Sequence, residues 1–193
     1  MRIERAVNYV TTLGPGRRLC IWVNGCPRSC RGCVSERLRI PDPTCEVDIY
    51  EYFADYNIEN ADGVTVSGGE PFMQKDELLL LVKYLRSRGV SDILVYTGYT
   101  IEELREMRDP AVFGVLSQIS VLIDGPYIDT LDFGKGNMKG SENQKIIYLD
   151  ESVRERYEAY ISDVRAPMET VLGSTALAIG IPDREFIEEF KRK

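Results

Sequence analysis

Three of the five cysteines fall inside one stretch of eight residues, Cys26-Pro27-Arg28-Ser29-Cys30-Arg31-Gly32-Cys33, with three and then two residues between them. Thiolates that close together can converge on one metal centre. A four-iron cluster has four metal corners, each usually taking one cysteine. Three cysteines therefore leave one corner open, and the rest of the chain is expected to build a barrel around it. The same spacing also suits a structural zinc site with Cys20 or Cys45 as fourth ligand. A third reading is no metal at all, since cysteine is also a common buried residue; Cys20 taken alone reads that way.

Other functions are excluded by what the chain lacks. It has no histidine, which removes Ser-His-Asp and Cys-His catalysis and the commonest imidazole ligand. An odd number of cysteines behind a start, Met1-Arg2-Ile3-Glu4-Arg5, without an apolar signal stretch argues against a disulfide framework. The expected location is cytoplasmic. A net charge of -7 shows no basic footprint for nucleic acid, and no apolar run is long enough to cross a bilayer. At 193 residues the chain suits one domain with a sizeable core.

Strands and helices alternate along the chain. Residues 19–24 read as a buried strand ending at Gly25, and 47–56 have helical spacing. Residues 63–67 form a β-branched strand that stops at Gly68-Gly69; Asp76 is expected to cap the Leu-rich helix that ends at Gly89. A strand over 92–96 ends by Gly98, and Thr100 with Glu103 makes a capping box for 101–107. Asp109-Pro110 restarts a helix, and 119–123 is a strand closed by Asp124-Gly125-Pro126. After a glycine-bearing loop, with 134–140 expected as a flexible lip, come a fifth strand over 145–149 and a helix to about Ile161 behind a Ser152/Glu155 capping box. An extended piece over 175–181 and a last helix after Asp183 complete the chain.

This alternation implies an α/β fold, a mostly parallel sheet with right-handed crossovers. The expected architecture is a partial, open parallel β/α barrel of about five to six units, in one domain over 1–193 with 148–193 as a short C-terminal extension. Its ligand site should lie at the C-terminal ends of the strands. The unusual residues sit there: Cys26, Cys30 and Cys33 after the first strand, Ser67, Gly68, Gly69 and Glu70 after the second, Thr97 after the third, and Asp124 after the fourth.

The Cys-x-x-x-Cys-x-x-Cys pattern resembles the cluster signature of radical S-adenosylmethionine (SAM) enzymes. Gly14-Pro15-Gly16-Arg17 and Trp22-Val23-Asn24-Gly25-Cys26-Pro27 resemble the small activating enzymes that install a glycyl radical. Tyr96-Thr97-Gly98-Tyr99, Asp124-Gly125-Pro126-Tyr127 and Gly140-Ser141-x-Asn143-Gln144 look like the activases that serve anaerobic ribonucleotide reductase. The resemblance implies that Cys26, Cys30 and Cys33 hold a [4Fe–4S] cluster and that Ser67, Gly68, Gly69 and Glu70 contact the amino group of SAM. It further implies that Asp124 and Asn143 meet SAM, and Tyr96, Thr97 and Tyr99 are expected to line the pocket. The implied partners are a glycyl-radical protein and a flavodoxin or ferredoxin-type electron donor. No catalytic residue is implied beyond the cluster. Val34-Ser35 after the third cysteine and the residues beyond Tyr148 depart from the family. Two competing readings are a radical SAM enzyme acting on a small metabolite or peptide, and a non-catalytic four-cysteine metal module.

Overall fold

The computed structural model describes residues 1–132, 138–163, 168–172 and 176–182. Six strands form one sheet in chain order: β1 (Ile3–Val10), β2 (Arg18–Val23), β3 (Gly63–Gly68), β4 (Ile93–Tyr96), β5 (Val121–Asp124) and β6 (Lys145–Tyr148). The pairs from β2 to β5 are parallel; β1 and β6 run antiparallel to their neighbours. Helices α1 (Ile49–Tyr52), α2 (Lys75–Ser87), α3 (Ile101–Glu106) and α4 (Pro110–Leu116) lie between the parallel strands in sequence. Helix α5 (Arg154–Ser162) and an antiparallel hairpin, β7 (Met168–Leu172) and β8 (Ala176–Gly180), follow β6. The strand order never reverses, so the sheet lacks the switch point of a doubly wound fold.

Several expectations are corrected. Strand β1 escapes a period-two reading because its pairing with β2 slips between Ile3 and Arg5 and between Val7 and Val10, with Tyr9 at φ 65°. The fifth expected strand, β6, is antiparallel; among the described residues only a short 3-10 turn, Asp129–Leu131, separates it from β5, and a parallel return needs a longer crossover. The helix expected over 47–56 shrinks to α1, capped by Asp48. Asp76 does not cap α2: a 3-10 turn, Pro71–Gln74, runs straight into the helix and leaves Asp76 in its first turn. The Ser152/Glu155 box gives way to Asp150, whose carboxylate accepts from Ser152 N before α5 starts at Arg154. The Thr100/Glu103 box and the Asp109 cap form as expected. Gly134, Lys135, Gly136, Thr175 and the helix expected after Asp183 lie outside the described residues.

Alternation along the strands divides the core in two. Leu19, Ile21, Val64, Val66, Ile93 and Leu122 pack with Leu78, Leu81, Val82 and Leu85 of α2 and with Leu104, Val112 and Val115 from α3 and α4. The opposite face carries Leu94, Val121 and Ile123, covered by Tyr157 and Tyr160 of α5. On that face Cys20 and Trp22 meet Ile179, Val171 and Leu177 of the hairpin. Burial on both faces is why these strands read as continuous apolar runs. The hairpin is tethered by the Glu169 carboxylate, which accepts from Thr11 N (2.7 Å), Thr12 N (3.0 Å) and both threonine hydroxyls.

At the N-terminal ends of the strands, Arg18 is completely buried. Its guanidinium donates to Asp92 Oδ2 and Thr65 Oγ1, each at 2.7 Å, and to Val64 O at 2.8 Å. Asp92 also accepts from Tyr157 Oη (2.9 Å) and pairs with Arg156. Gly63 is required here: a Cβ would sit 2.6 Å from Arg18 Nη1. Among the described residues no helix is long and apolar enough to cross a membrane.

Candidate iron–sulfur and ligand site

The cysteine loop leaves β2 through Gly25, whose φ of +98° turns the chain out of the sheet. Its two ends are held together: Gly25 N donates to Leu38 O (2.8 Å) and Cys26 N to Arg39 O (2.9 Å). Cys26, Cys30 and Cys33 are all free and half-buried on this loop. Burial pushes the Cys26 and Cys33 thiols above the ordinary cysteine value, against hydrogen bonds from the Arg28 and Ser35 backbone respectively that pull them down. Among the described residues no three Cys, Asp, Glu or His side chains close to the spacing of ligands on one ion. A four-iron cluster spreads its thiolates over separate corners. The chemistry of the donor set fits that group: three thiols on one pinned loop, without histidine.

The end of β3 lies against this loop, backbone to backbone. Gly69 N donates to Val23 O (2.8 Å) and Glu70 N to Gly25 O (2.9 Å). A Cβ on Gly69 would fall 2.2 Å from Gly25 O, so only glycine allows the approach. Ser67 and Gly68 complete β3 beside Trp22 and Val23. The glycines thus bring two strand ends together.

Glu70 is buried, 1% exposed, and joins three loops. Its carboxylate accepts from Thr97 Oγ1 (2.8 Å), Gly98 N (2.7 Å) and Phe72 N (3.0 Å). Burial raises its pKa above the ordinary glutamate value; these three donors and the Arg28 cation work the other way. Asp124, at the end of β5, is also buried and accepts from Ile101 N (2.8 Å) and Lys145 N (3.1 Å). Asn143 donates to Pro126 O (2.7 Å), while its Oδ1 is buried with no partner among the described residues. Tyr96 turns away from this rim and packs against the α5 cluster.

Two contacts draw the cysteine loop across the strand ends. Gly32 faces the Tyr127 ring, and Arg31 pairs with Asp129 at 3.5 Å. Arg28 reaches the opposite wall, with its guanidinium over the Tyr99 ring (4.5 Å) and Nη2 donating to Glu103 (3.2 Å). Neither partner of Arg28 is near it in sequence, so no spacing rule could single it out. Beside the loop opens a cavity of about 440 Å³ whose lining includes Cys26, Arg28, Glu36, Arg39 and Ile40.

Replacing Glu70 with Gln is expected to cost about 1–3 kcal/mol at acid pH, because an amide N–H would face Gly98 N–H where a Glu70 oxygen now accepts. With a raised folded-state pKa, Glu70 stabilises fully below the ordinary glutamate value and loses that contribution as pH rises through the folded value. The deficit of the variant should therefore be largest at acid pH and shrink as pH rises through the folded value in urea denaturation. A deficit that grows as pH rises would contradict the assignment.

These features define a single-cluster iron–sulfur protein, and a family model described as "4Fe-4S single cluster domain" matches residues 12–147. The chain is 32% identical over 145 residues to the anaerobic ribonucleoside-triphosphate reductase-activating protein of Escherichia coli (strain K12), covering 70% of this chain and 91% of that one. It is 28% identical over 139 residues to the protein so named in Enterobacteria phage T4, covering 69% and 85% respectively. A solved structure, QueE from Escherichia coli, aligns with 51% of this chain and 52% of its own at TM-score 0.38 and 22% identity. The chain therefore belongs to the family of anaerobic ribonucleoside-triphosphate reductase-activating proteins, with a single-cluster 4Fe-4S domain.

Proposed function

We propose that this chain cleaves SAM reductively and generates a glycyl radical on a separate protein, an anaerobic ribonucleotide reductase. The observation that carries this reading is the meeting of the three-cysteine loop with the ends of β3, β4 and β5 around one mouth. The name of its relatives, anaerobic ribonucleoside-triphosphate reductase-activating protein, supports the choice of partner. Cys26, Cys30 and Cys33 would hold the cluster. When bound, a [4Fe–4S] cluster supplies one electron to the sulfonium of SAM, whose C–S bond breaks to give methionine and a 5′-deoxyadenosyl radical; that radical takes hydrogen from a glycine and becomes 5′-deoxyadenosine.

The chain's own residues shape the site for that step. The Ser67-Gly68-Gly69-Glu70 turn lies against the cysteine loop and would meet an ammonium through its backbone oxygens, while the buried Glu70 carboxylate holds the turn to Thr97 and Gly98. Asn143 Oδ1, the buried acceptor still lacking a donor, suits a ligand hydroxyl or N–H. Thr97 and Asp124 hold the intervening rim, each through hydrogen bonds to neighbouring loops. A flavodoxin or ferredoxin-type protein would supply the electron. The chain would work as one domain, an open parallel barrel whose sequential strand order supports that winding, with 148–193 as its C-terminal extension.

The test is anaerobic. Reconstituted and reduced protein should convert SAM to methionine and 5′-deoxyadenosine, and electron paramagnetic resonance should show a glycine-centred radical on added reductase. SAM cleavage stimulated by a metabolite or peptide, with no radical on a competent reductase, would reject the partner. A protein that holds its cluster yet never cleaves SAM would reject the chemistry.

A further inference from the structure

We propose that the Arg28 cation tunes how readily the cluster takes up its electron, an inference that rests on the reading that Cys26, Cys30 and Cys33 hold that cluster. Arg28 stands between Cys26 and Cys30, so the turn that presents two of the thiols also carries this charge. Four arginines lie between Cys26 and Ile40, and their side chains differ in exposure: 24% for Arg28, 35% for Arg39, 62% for Arg37 and 91% for Arg31. Water screens an exposed charge most, so Arg28 is the cation whose field is best kept. Its side chain is also fixed. A Cβ on Gly98 would fall 2.5 Å from Arg28 Cδ and 3.3 Å from Glu70 Oε2, so the glycine lets the stem pass beside that carboxylate. The Tyr99 ring lies 4.5 Å from the guanidinium carbon, and Nη2 donates to Glu103 at 3.2 Å.

In the step at issue a flavodoxin or ferredoxin-type protein gives up one electron and the cluster gains it, with no bond made or broken. The centre becomes one charge more negative. The potential of an iron–sulfur centre follows the charge around it, the hydrogen bonds to its sulfurs and its exposure to solvent. A fixed cation on the cysteine loop favours the reduced form, and a guanidinium keeps that charge at any working pH. Arg28 Nε is buried and finds no acceptor among the described residues. A buried N–H beside thiolates suits a sulfur acceptor, and such a bond acts in the same direction. Glu103 opposes the cation. Its carboxylate is held against the same guanidinium, but it is 48% exposed and better screened than Arg28. The two charges of one contact therefore pull the potential in opposite directions.

The experiment is an anaerobic potentiometric titration of cluster-loaded protein without SAM, read by the electron paramagnetic resonance signal of the reduced cluster. Arg28→Gln should lower the equilibrium constant for reduction about tenfold, a fall of about 59 mV for a one-electron couple. Arg28→Lys keeps the charge and should stay within about threefold of wild type. Glu103→Gln removes the opposing anion and should raise the constant at least about twofold, while glutamine still serves the capping box with Thr100. Arg31→Gln removes a cation already in water and should stay within about twofold. If Arg28→Gln takes up less iron, the upward shift of Glu103→Gln carries the same test. A strut would give the same result whichever partner of the contact is lost. Shifts of one sign in Arg28→Gln and Glu103→Gln, or no shift beyond twofold in either, would overturn the proposal. Wild-type protein that takes up no four-iron cluster would instead overturn the reading on which this one rests.

Discussion

Alanine at Cys26, Cys30 or Cys33 is expected to abolish the iron–sulfur chromophore, each variant retaining under about a tenth of the wild-type iron, since a cluster corner takes one cysteine and no other thiol sits in the loop. SAM cleavage should fall at least about a thousandfold in the same proteins, because the electron has no other source. Alanine at Cys20 or Cys45 should leave the iron content unchanged. Cys20 is buried under the hairpin, and burial pushes its thiol up to about 12. Cys45 stands off the loop, its thiol 3.6 Å from Glu4 Oε2. Iron analysis and absorption spectra after anaerobic reconstitution check all five variants. Loss of the cluster in Cys45→Ala or Cys20→Ala would mean four protein thiolates and no vacant corner. A colourless wild-type protein with one zinc per chain would favour the non-catalytic module.

Removing Asp92 should be the most damaging single change to stability. Asp92→Ala leaves the Arg18 cation buried at 0% exposure without its carboxylate, and loss of one partner from such a pair costs about 3–5 kcal/mol. Tyr157 loses its acceptor as well. Arg156→Ala removes only a half-exposed partner of the same carboxylate and should cost about 0–1 kcal/mol. Urea denaturation of the two variants gives the contrast. An Asp92→Ala protein within about 1 kcal/mol of wild type would show that the network contributes little. Because it lies at the N-terminal ends of the strands, away from Cys26, the iron content of folded Asp92→Ala should match wild type.

Much of the fold is legible because the signals are local. The β-branched and apolar runs of β2 to β5, the Thr100/Glu103 box and Asp109-Pro110 each lie within a few residues of the structure they specify. Strand β1 was hidden because two slips of register break its alternation. The direction of β6 was hidden because a strand's residues do not encode which way it enters a sheet; the connection does. The capping of α2 and α5 depended on 3-10 turns that precede each helix.

The site divides the same way. Three thiols at short spacing, a glycine pair before a glutamate, and their recurrence at strand ends are properties of the chain read in order. They suffice to name a cluster loop and its neighbours. Tertiary structure alone decided what those residues touch: Glu70 meets Thr97 and Gly98 across 27 and 28 positions, and Arg28 meets Glu103 across 75. It also decided that α5 and the β7–β8 hairpin cover the second face of the sheet. Short-range spacing sets which groups share a turn, whereas contacts between distant turns exist only once the sheet has brought its strand ends together.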